Sequence, residues 1–406
     1  MDRLERLKRN PHLLFWARAF LEVKAMNAIV ALFYLHRDVR IDQIFYLSIV
    51  WSIGTLLFEV PTGYLADRFG RKRTMLLGAA ITFLSTLFVF YAHGFWQFCI
   101  QFLLMSFGFS CFSGTEEAIL YDGLKELGEE KQMTKYNGRL QSARQFMKVV
   151  FPPLGAWIAK DLLEWQFGLV IGMDVIAEIV AFFILLQLLE PKHIREVAKE
   201  EQGIFKESLV TIRKDPFLFR AALNKIFIFI ASFLLWRVYQ LYLGGFQIDA
   251  RWLGLFYVLF HASVFSSHWY IDRIEGFFGS IRLLRWSVLV MVICLLIAAV
   301  AGHPALIFIG SLLALFFSNV RDHIFSHAMN QRIKSRSRAT TLSNLYVLKA
   351  VLDIPLLFLA GFLALQDPRY VYVICILLCC AVILFLPIRE QDIQAVAKTE
   401  EGAAVL

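Results

Sequence analysis

A stretch of about 20 apolar residues is long enough to cross the hydrocarbon core of a bilayer as a helix, with every backbone polar group satisfied inside the segment. This 406-residue chain carries about twelve of them. The first set covers 11–36, 43–66, 74–92, 95–121, 139–159 and 165–189. The second covers 216–243, 252–271, 281–301, 304–329, 339–365 and 370–387. Between the sets lies the longest hydrophilic stretch, Glu190 to Asp215, rich in Lys and Glu. The expected fold is an all-α integral membrane protein of twelve transmembrane helices in two pseudo-symmetric six-helix bundles. The expected division is an N-terminal bundle over 1–190, a cytoplasmic linker over 191–215, a C-terminal bundle over 216–388 and a loose cytoplasmic tail over 389–406.

Composition agrees. The chain is 58% hydrophobic and 18% charged, with 39 Phe and a mean hydropathy of +0.61, whereas soluble domains are about half apolar and a quarter charged. The net charge of +8 is not a nucleic-acid signal, because the basic residues alternate from loop to loop. One set holds Arg3, Arg6, Lys8 and Arg9, then Arg68, Arg71, Lys72 and Arg73, then Lys125, Lys131 and Lys135, then the central linker. Arg273, Arg282, Arg332, Lys334, Arg336 and Arg338 continue it. The intervening loops hold little beyond Arg37, Arg40, Lys160, Arg251 and Arg369. Basic loops stay on the cytoplasmic side, so both termini are expected there, in a bacterial cytoplasmic membrane. The basic start, Met1 to Asn10, leads into a span that itself carries charges, which reads as a retained first span rather than a cleaved signal.

The halves echo each other. Asn10-Pro11 and Asp215-Pro216 open equivalent spans, Ile41-Asp42 and Ile248-Asp249 precede equivalent spans, and Asp67-Arg68 and Asp272-Arg273 end them. Offsets of 205 to 207 residues at equivalent topological places argue for two repeated six-span halves.

The turn between the second and third spans reads Gly63-Tyr64-Leu65-Ala66-Asp67-Arg68-Phe69-Gly70-Arg71-Lys72-Arg73. Gly63 is expected to let a neighbouring helix approach, Gly70 to permit a tight reversal, and Asp67 to pair with Arg71 or cap a helix. The spacing Gly-x-Leu-Ala-Asp-Arg-x-Gly-Arg-Lys resembles the loop signature of the major facilitator superfamily, with every fixed position met. The resemblance implies two helical bundles around a central cavity that opens alternately to each side. It also implies a conformational latch of Gly63, Asp67, Arg68, Gly70, Arg71 and Lys72, with Asp122 as the acid at the inner end of the fourth span. Two other family patterns are missing. Where proton-coupled members often carry Arg-x-x-Gln-Gly, this chain reads Cys111-Phe112-Ser113-Gly114-Thr115-Glu116-Glu117. Where antiporters carry Gly-Pro-x-x-Gly-Gly, it reads Phe151-Pro152-Pro153-Leu154-Gly155-Ala156.

Charge at mid-span costs about 2.5 to 3.5 kcal/mol on insertion scales, so such residues pair, face water or do work. In the first span, Arg18 and Glu22 are four apart and share a face. Lys24 lies about 200° from Glu22 on an ideal helix and needs a partner elsewhere. Arg144 and Lys148 share a face of the fifth span, and Asp174 and Glu178 a face of the sixth, which suggests a salt-bridge ladder between them. A basic wall facing an anionic substrate is the sharper alternative. Of the adjacent Glu116 and Glu117, one at most faces a cavity. The second half adds Lys225, Asp322, His323, Lys349 and Asp353, the last two spaced to pair with each other. His323 and His327 have metal-compatible spacing but no third ligand, and the Cys375, Cys379, Cys380 cluster has no His or acidic neighbour. No metal or cofactor is expected.

These residues point to a monomeric secondary active transporter that moves a small organic solute by alternating access, with protons or another ion as coupling partner and Glu22 as the leading carboxylate. Efflux of amphiphilic compounds rests on the many Phe and Trp residues. Transport of an anionic metabolite through Arg144, Lys148, Lys225 and Lys349 stands beside it, as does a transporter-like sensor or partner subunit. No catalytic constellation is present in the sequence.

Overall fold

The computed structural model describes residues 3–192, 216–332 and 338–388. Most of the expected linker, the tail, and Lys334 and Arg336 lie outside the described residues, as do the side chains of His268, Asp272, His323 and His327. Every regular element among the described residues is a helix. In chain order they are α1 (Arg3–Leu7), α2 (Asn10–Leu21), a 3-10 turn (Ala25–Ala28), α3 (Val30–His36), α4 (Ile41–Phe69), α5 (Arg71–Val89), α6 (Gly94–Phe112) and α7 (Thr115–Glu126). A second 3-10 turn (Glu130–Gln132) precedes α8 (Met133–Ile158) and α9 (Glu164–Leu186). Then come α10 (Pro216–Gly244), α11 (Ala250–Phe278), α12 (Ser280–Val300), α13 (Pro304–Arg332), α14 (Arg338–Gln366) and α15 (Arg369–Phe385).

Eight helical segments among the described residues are long and apolar enough to cross a membrane. The expected spans that miss this standard have visible reasons. The first is split, the fifth carries Arg139, Arg144 and Lys148, the eighth is polar around His261, Ser263, Ser266 and Ser267, and the twelfth is 17 residues long. Only 28% to 67% of each spanning window is buried within the protein. Leu57, Trp157, Phe183, Trp286 and Phe385 are among the large apolar side chains left exposed, a surface suited to hydrocarbon rather than water.

Two expected spans are not continuous. The first, expected over 11–36, breaks after Leu21 and resumes at Val30. No Pro or Gly lies in the break; the cause is tertiary. Asp174 of α9 accepts the Ala25 N–H at 2.8 Å, and α8 presses Gly155 so close that a Cβ there would lie 2.1 Å from the Ala25 carbonyl oxygen. The fourth span, expected over 95–121, divides at Ser113-Gly114, where Gly114 has φ +68°.

The described chain forms two compact units. One comprises residues up to 192 together with Asp249–His261; the other comprises 216–248 and 262–388. The first has a core of Leu14, Met75, Phe112, Ile119, Leu124, Leu140, Ala181 and Leu185. In the second, α10, α12, α13 and α15 pack on one another around Ala221, Leu283, Leu284, Val320, Ile324 and Phe325. The repeat is visible in the elements. α4 and α11 are both 29 residues long, and each is followed by a positive-φ glycine that opens the next helix, Gly70 at +99° and Gly279 at +76°. These glycines are 209 residues apart (279 − 70). The Asp67-Arg68 and Asp272-Arg273 dipeptides therefore lie about one helical turn out of structural register.

Candidate functional site

The break in the first span gathers most of the buried charge of the first unit. Arg18, one turn before it, forks onto Glu116 of α7, with Nε at 2.9 and 3.1 Å from the two carboxylate oxygens and a terminal nitrogen at 2.5 Å. Arg144 of α8 reaches the same carboxylate at 2.6 Å. Glu116 is 3% exposed and balances two guanidinium groups, while Glu117 faces outward. Glu22 is held more loosely. Among the described residues its side chain has one hydrogen bond, from Arg18 at 3.5 Å, and Lys148 and the Arg144 Nε stand at 3.7 and 3.9 Å. Within the break Lys24 pairs with the fully buried Glu178, whose carboxylate also accepts the Thr86 hydroxyl at 2.9 Å.

This arrangement replaces the expected ladder between the fifth and sixth spans. Arg144 and Lys148 meet Glu116 and Glu22; Asp174 and Glu178 meet the Ala25 N–H and Lys24. The helix break swings Lys24 to α9, a placement that ideal helical geometry does not produce.

A cavity of about 360 Å³ opens against these groups. Its lining is part ionic, with Arg18, Glu22, Lys24, Lys148 and Asp174, and part aromatic, with Phe33, Tyr34, Trp51, Phe109 and Phe112, the Phe112 ring centre lying 5.5 Å from the Arg18 guanidinium. Thr82, Thr86, Gln101 and Met105 complete it from α5 and α6. From the stretch of α11 grouped with this unit, Tyr257 lies near Glu22, and His261 near Lys148. The volume is at the lower end of the roughly 300–1,000 Å³ of small-molecule pockets.

At the basic end of the unit, the α4–α5 turn is held by a residue outside the signature. Glu190, just past α9, accepts the backbone N–H groups of Arg71 and Lys72 at 2.8 Å each. This puts a carboxylate on the positive end of α5. Gly70 is required twice: its φ is +99°, and a Cβ would lie 3.3 Å from the Glu190 carboxyl carbon. Arg71 pairs with Asp122 and donates to the Ala118 carbonyl. Lys72 Nζ donates to the Leu186 carbonyl at 2.7 Å, and Arg68 to the Tyr64 hydroxyl at 2.9 Å. Asp67 is exposed and, among the described residues, takes neither expected role: the cap is Glu190 and the partner of Arg71 is Asp122. Gly63 also differs from expectation, since a Cβ there would meet nothing within 4 Å.

Glu190 was unreadable as a cap because it is 119 residues from Arg71. The same end is clipped by Asn10, which exchanges hydrogen bonds with Leu189 at 2.8 and 3.0 Å. Arg3 adds bonds to Glu126 and to the Glu190 carbonyl, and Glu126 accepts the Lys192 N–H.

In the second unit Lys225 pairs with Asp322 at 3.1 Å, and Lys349 with Asp353 at 3.3 Å, with the Lys349 ammonium 4.1 Å from the Phe229 ring centre. Arg321, 2% exposed, donates to the Leu284 carbonyl, to Ser287 at 3.0 Å and to Asn224 at 2.8 Å. Among the described residues no group of His, Cys, Asp and Glu has the makings of a metal site.

A multi-span helical protein with a charged, aromatic-lined cavity beside a broken helix belongs to the class of membrane transporters. The family model of the Major Facilitator Superfamily matches residues 15–348, and the chain belongs to that superfamily. Among solved structures, it is similar to the nucleoside transporter NupG at 12% identity, covering 93% of this chain and 98% of that one with a TM-score of 0.73. A bacterial homologue of the iron transporter ferroportin, inward-facing, matches at 15% identity over 94% and 97% of the two chains, with a TM-score of 0.72. A bacterial homologue of the human lysosomal transporter Spinster matches at 13% identity over 98% and 99%, with a TM-score of 0.73. Identities this low establish the shared fold. No curated protein matches the sequence.

Proposed function

We propose that the chain is a proton-coupled secondary transporter that moves a small organic solute by alternating access and binds it in the cavity beside the first-span break. The observation that carries this reading is the cavity, whose lining combines aromatic side chains with ionic groups, two of them, Glu22 and Lys148, loosely partnered. In the proposed topology the six-span halves rock as two bundles, the basic end lies in the cytoplasm of a bacterial cell, and the Arg71–Asp122 pair acts as the latch.

Charge balance favours one coupling carboxylate over the other. Glu22 already has three cations, Arg18, Arg144 and Lys148, within 4 Å. Asp174 and Glu178 share Lys24. One ammonium against two buried carboxylates leaves a negative charge that a proton cancels. The coupling proton is therefore placed on the Asp174–Glu178 pair rather than on Glu22.

The test is proton movement in proteoliposomes loaded with a pH dye and challenged with cationic, neutral and anionic compounds. Compound-triggered flux is expected in the wild type and in Glu22→Gln, and none in Asp174→Asn. Loss in Glu22→Gln alone returns coupling to Glu22. Solute uptake with no proton signal sinks coupling, and a chain that moves no compound fits a sensor or partner subunit instead.

A further inference from the structure

Around Glu22 the ionic groups are unevenly balanced, and the opposite imbalance of Lys24 against Asp174 and Glu178 is the one that the coupling proton cancels. Arg18, Arg144 and Lys148 bring three positive charges, and Glu22 and Glu116 two negative ones. The surplus is one positive charge, and it resides at Lys148. An ammonium has three protons to donate, yet Lys148 hydrogen-bonds no described residue, and its nearest carboxylate stands at 3.7 Å. Beside it the Arg144 Nε–H is buried without an acceptor. An oxygen-rich anion in the cavity would take up these donors.

We infer that the solute is a small organic monoanion with an apolar, aromatic-sized body, its carboxylate or equivalent group seated on Lys148 beside Arg144. This deepens the transport reading and rests on it. The aromatic part of the lining, with Tyr34, Trp51, Phe109 and Phe112, takes the body. A single negative charge cancels the surplus; a dianion overshoots it. A cationic solute would meet Glu22 only through the three cations already around it, and would have to compete with the coupling proton for Asp174; the ammonium of a zwitterion faces the same obstacle. Uptake or exchange of organic acids therefore fits the site better than efflux of cationic amphiphiles.

The experiment is isothermal titration of the purified full-length protein with four matched probes: 3-phenylpropionate, its amide, 3-phenylpropylamine and phenylalanine. Binding heat is expected from the propionate alone. Lys148→Met is expected to weaken it by about tenfold or more, and Lys148→Arg to stay within about threefold, the difference expected of a charged hydrogen-bond donor. Amide or amine binding as tightly as the acid, no binding by any probe, or an unaffected Lys148→Met would overturn the assignment. If Lys148→Met fails to fold, the wild-type probe series decides alone. Uptake is measured separately. A propionate that binds but is not moved leaves the anion site standing and sinks transport of it, whereas proton-coupled uptake of other compounds without propionate binding does the reverse.

Discussion

Glu116 is the residue on which the ion network closes. It is buried between Arg18 and Arg144, and removing one partner of a buried ion pair costs about 3–5 kcal/mol because the other charge is left uncompensated. Glu116→Gln should therefore lower the melting temperature in detergent clearly, whereas Glu117→Gln, on the exposed side of the same turn, should stay within about 0.5 kcal/mol of wild type. Equal effects would mean the network is not stabilising. A second residue-scale prediction concerns pH. The hydrogen bond from Arg369 holds the Asp367 carboxyl below its ordinary range, and the Arg369 N–H donates to the same carboxylate at 2.8 Å, at the first residue of α15. With the folded value depressed, the contribution is present above the unfolded value of about 3.9 and is lost as pH falls through the folded one. Asp367→Asn should be less stable than wild type at neutral pH, and the two melting curves should converge as pH falls through the depressed folded value; a gap that persists in acid would refute this. The sequence showed that Arg18, Glu22, Lys24 and Glu116 needed partners, because charge inside a membrane span is expensive. It showed the Arg18–Glu22 pair, four residues apart, but not the more distant partners: Glu116 lies 98 residues from Arg18 and 28 from Arg144, and Glu178 lies 154 from Lys24.

At the scale of elements, the broken first span decides the site. Its residues are compatible with a continuous helix. The break exists because Asp174 offers the Ala25 N–H an acceptor and because α8 approaches the Ala25 carbonyl through a glycine. Gly155→Ala should therefore force α8 away from the break and cost about 1–3 kcal/mol, as overpacking does. Gly168→Ala in α9, where a Cβ meets nothing within 4 Å, should be neutral or slightly stabilising through helix propensity. Thermal unfolding of the two variants side by side checks this, and a Gly155→Ala protein as stable as wild type would show that the approach is not tight. The α4–α5 turn teaches a related point: its Gly70 and basic run were legible, but the carboxylate that caps α5 came from the far end of α9.

For the whole molecule, the alternation of basic loops makes a prediction about orientation. In a background with the six natural cysteines replaced, Glu129→Cys, in the loop after α7, should be shielded from an impermeant maleimide applied to intact cells. Tyr91→Cys, at the opposite end and 80% exposed, should label. The reverse pattern would invert the topology and place the Arg71–Asp122 pair outside. The family and the helical architecture were both readable in the chain, since a membrane span must satisfy its own backbone and so announces itself in a continuous apolar stretch. The register between the repeats was readable only to within a turn.

The sequence by itself determined that this is a multi-span helical membrane protein of the major facilitator superfamily, with charges in its first, fifth and sixth spans that needed partners. Hydrophobic length, loop charge and a turn signature are local properties, and the chain order carries them. The tertiary structure decided where the first span breaks, which carboxylate meets which cation, and that Lys148 lines a cavity with no hydrogen bond to a described residue. Those outcomes depend on which helices pack together, and pairing energies between residues a hundred positions apart are not written in any one segment.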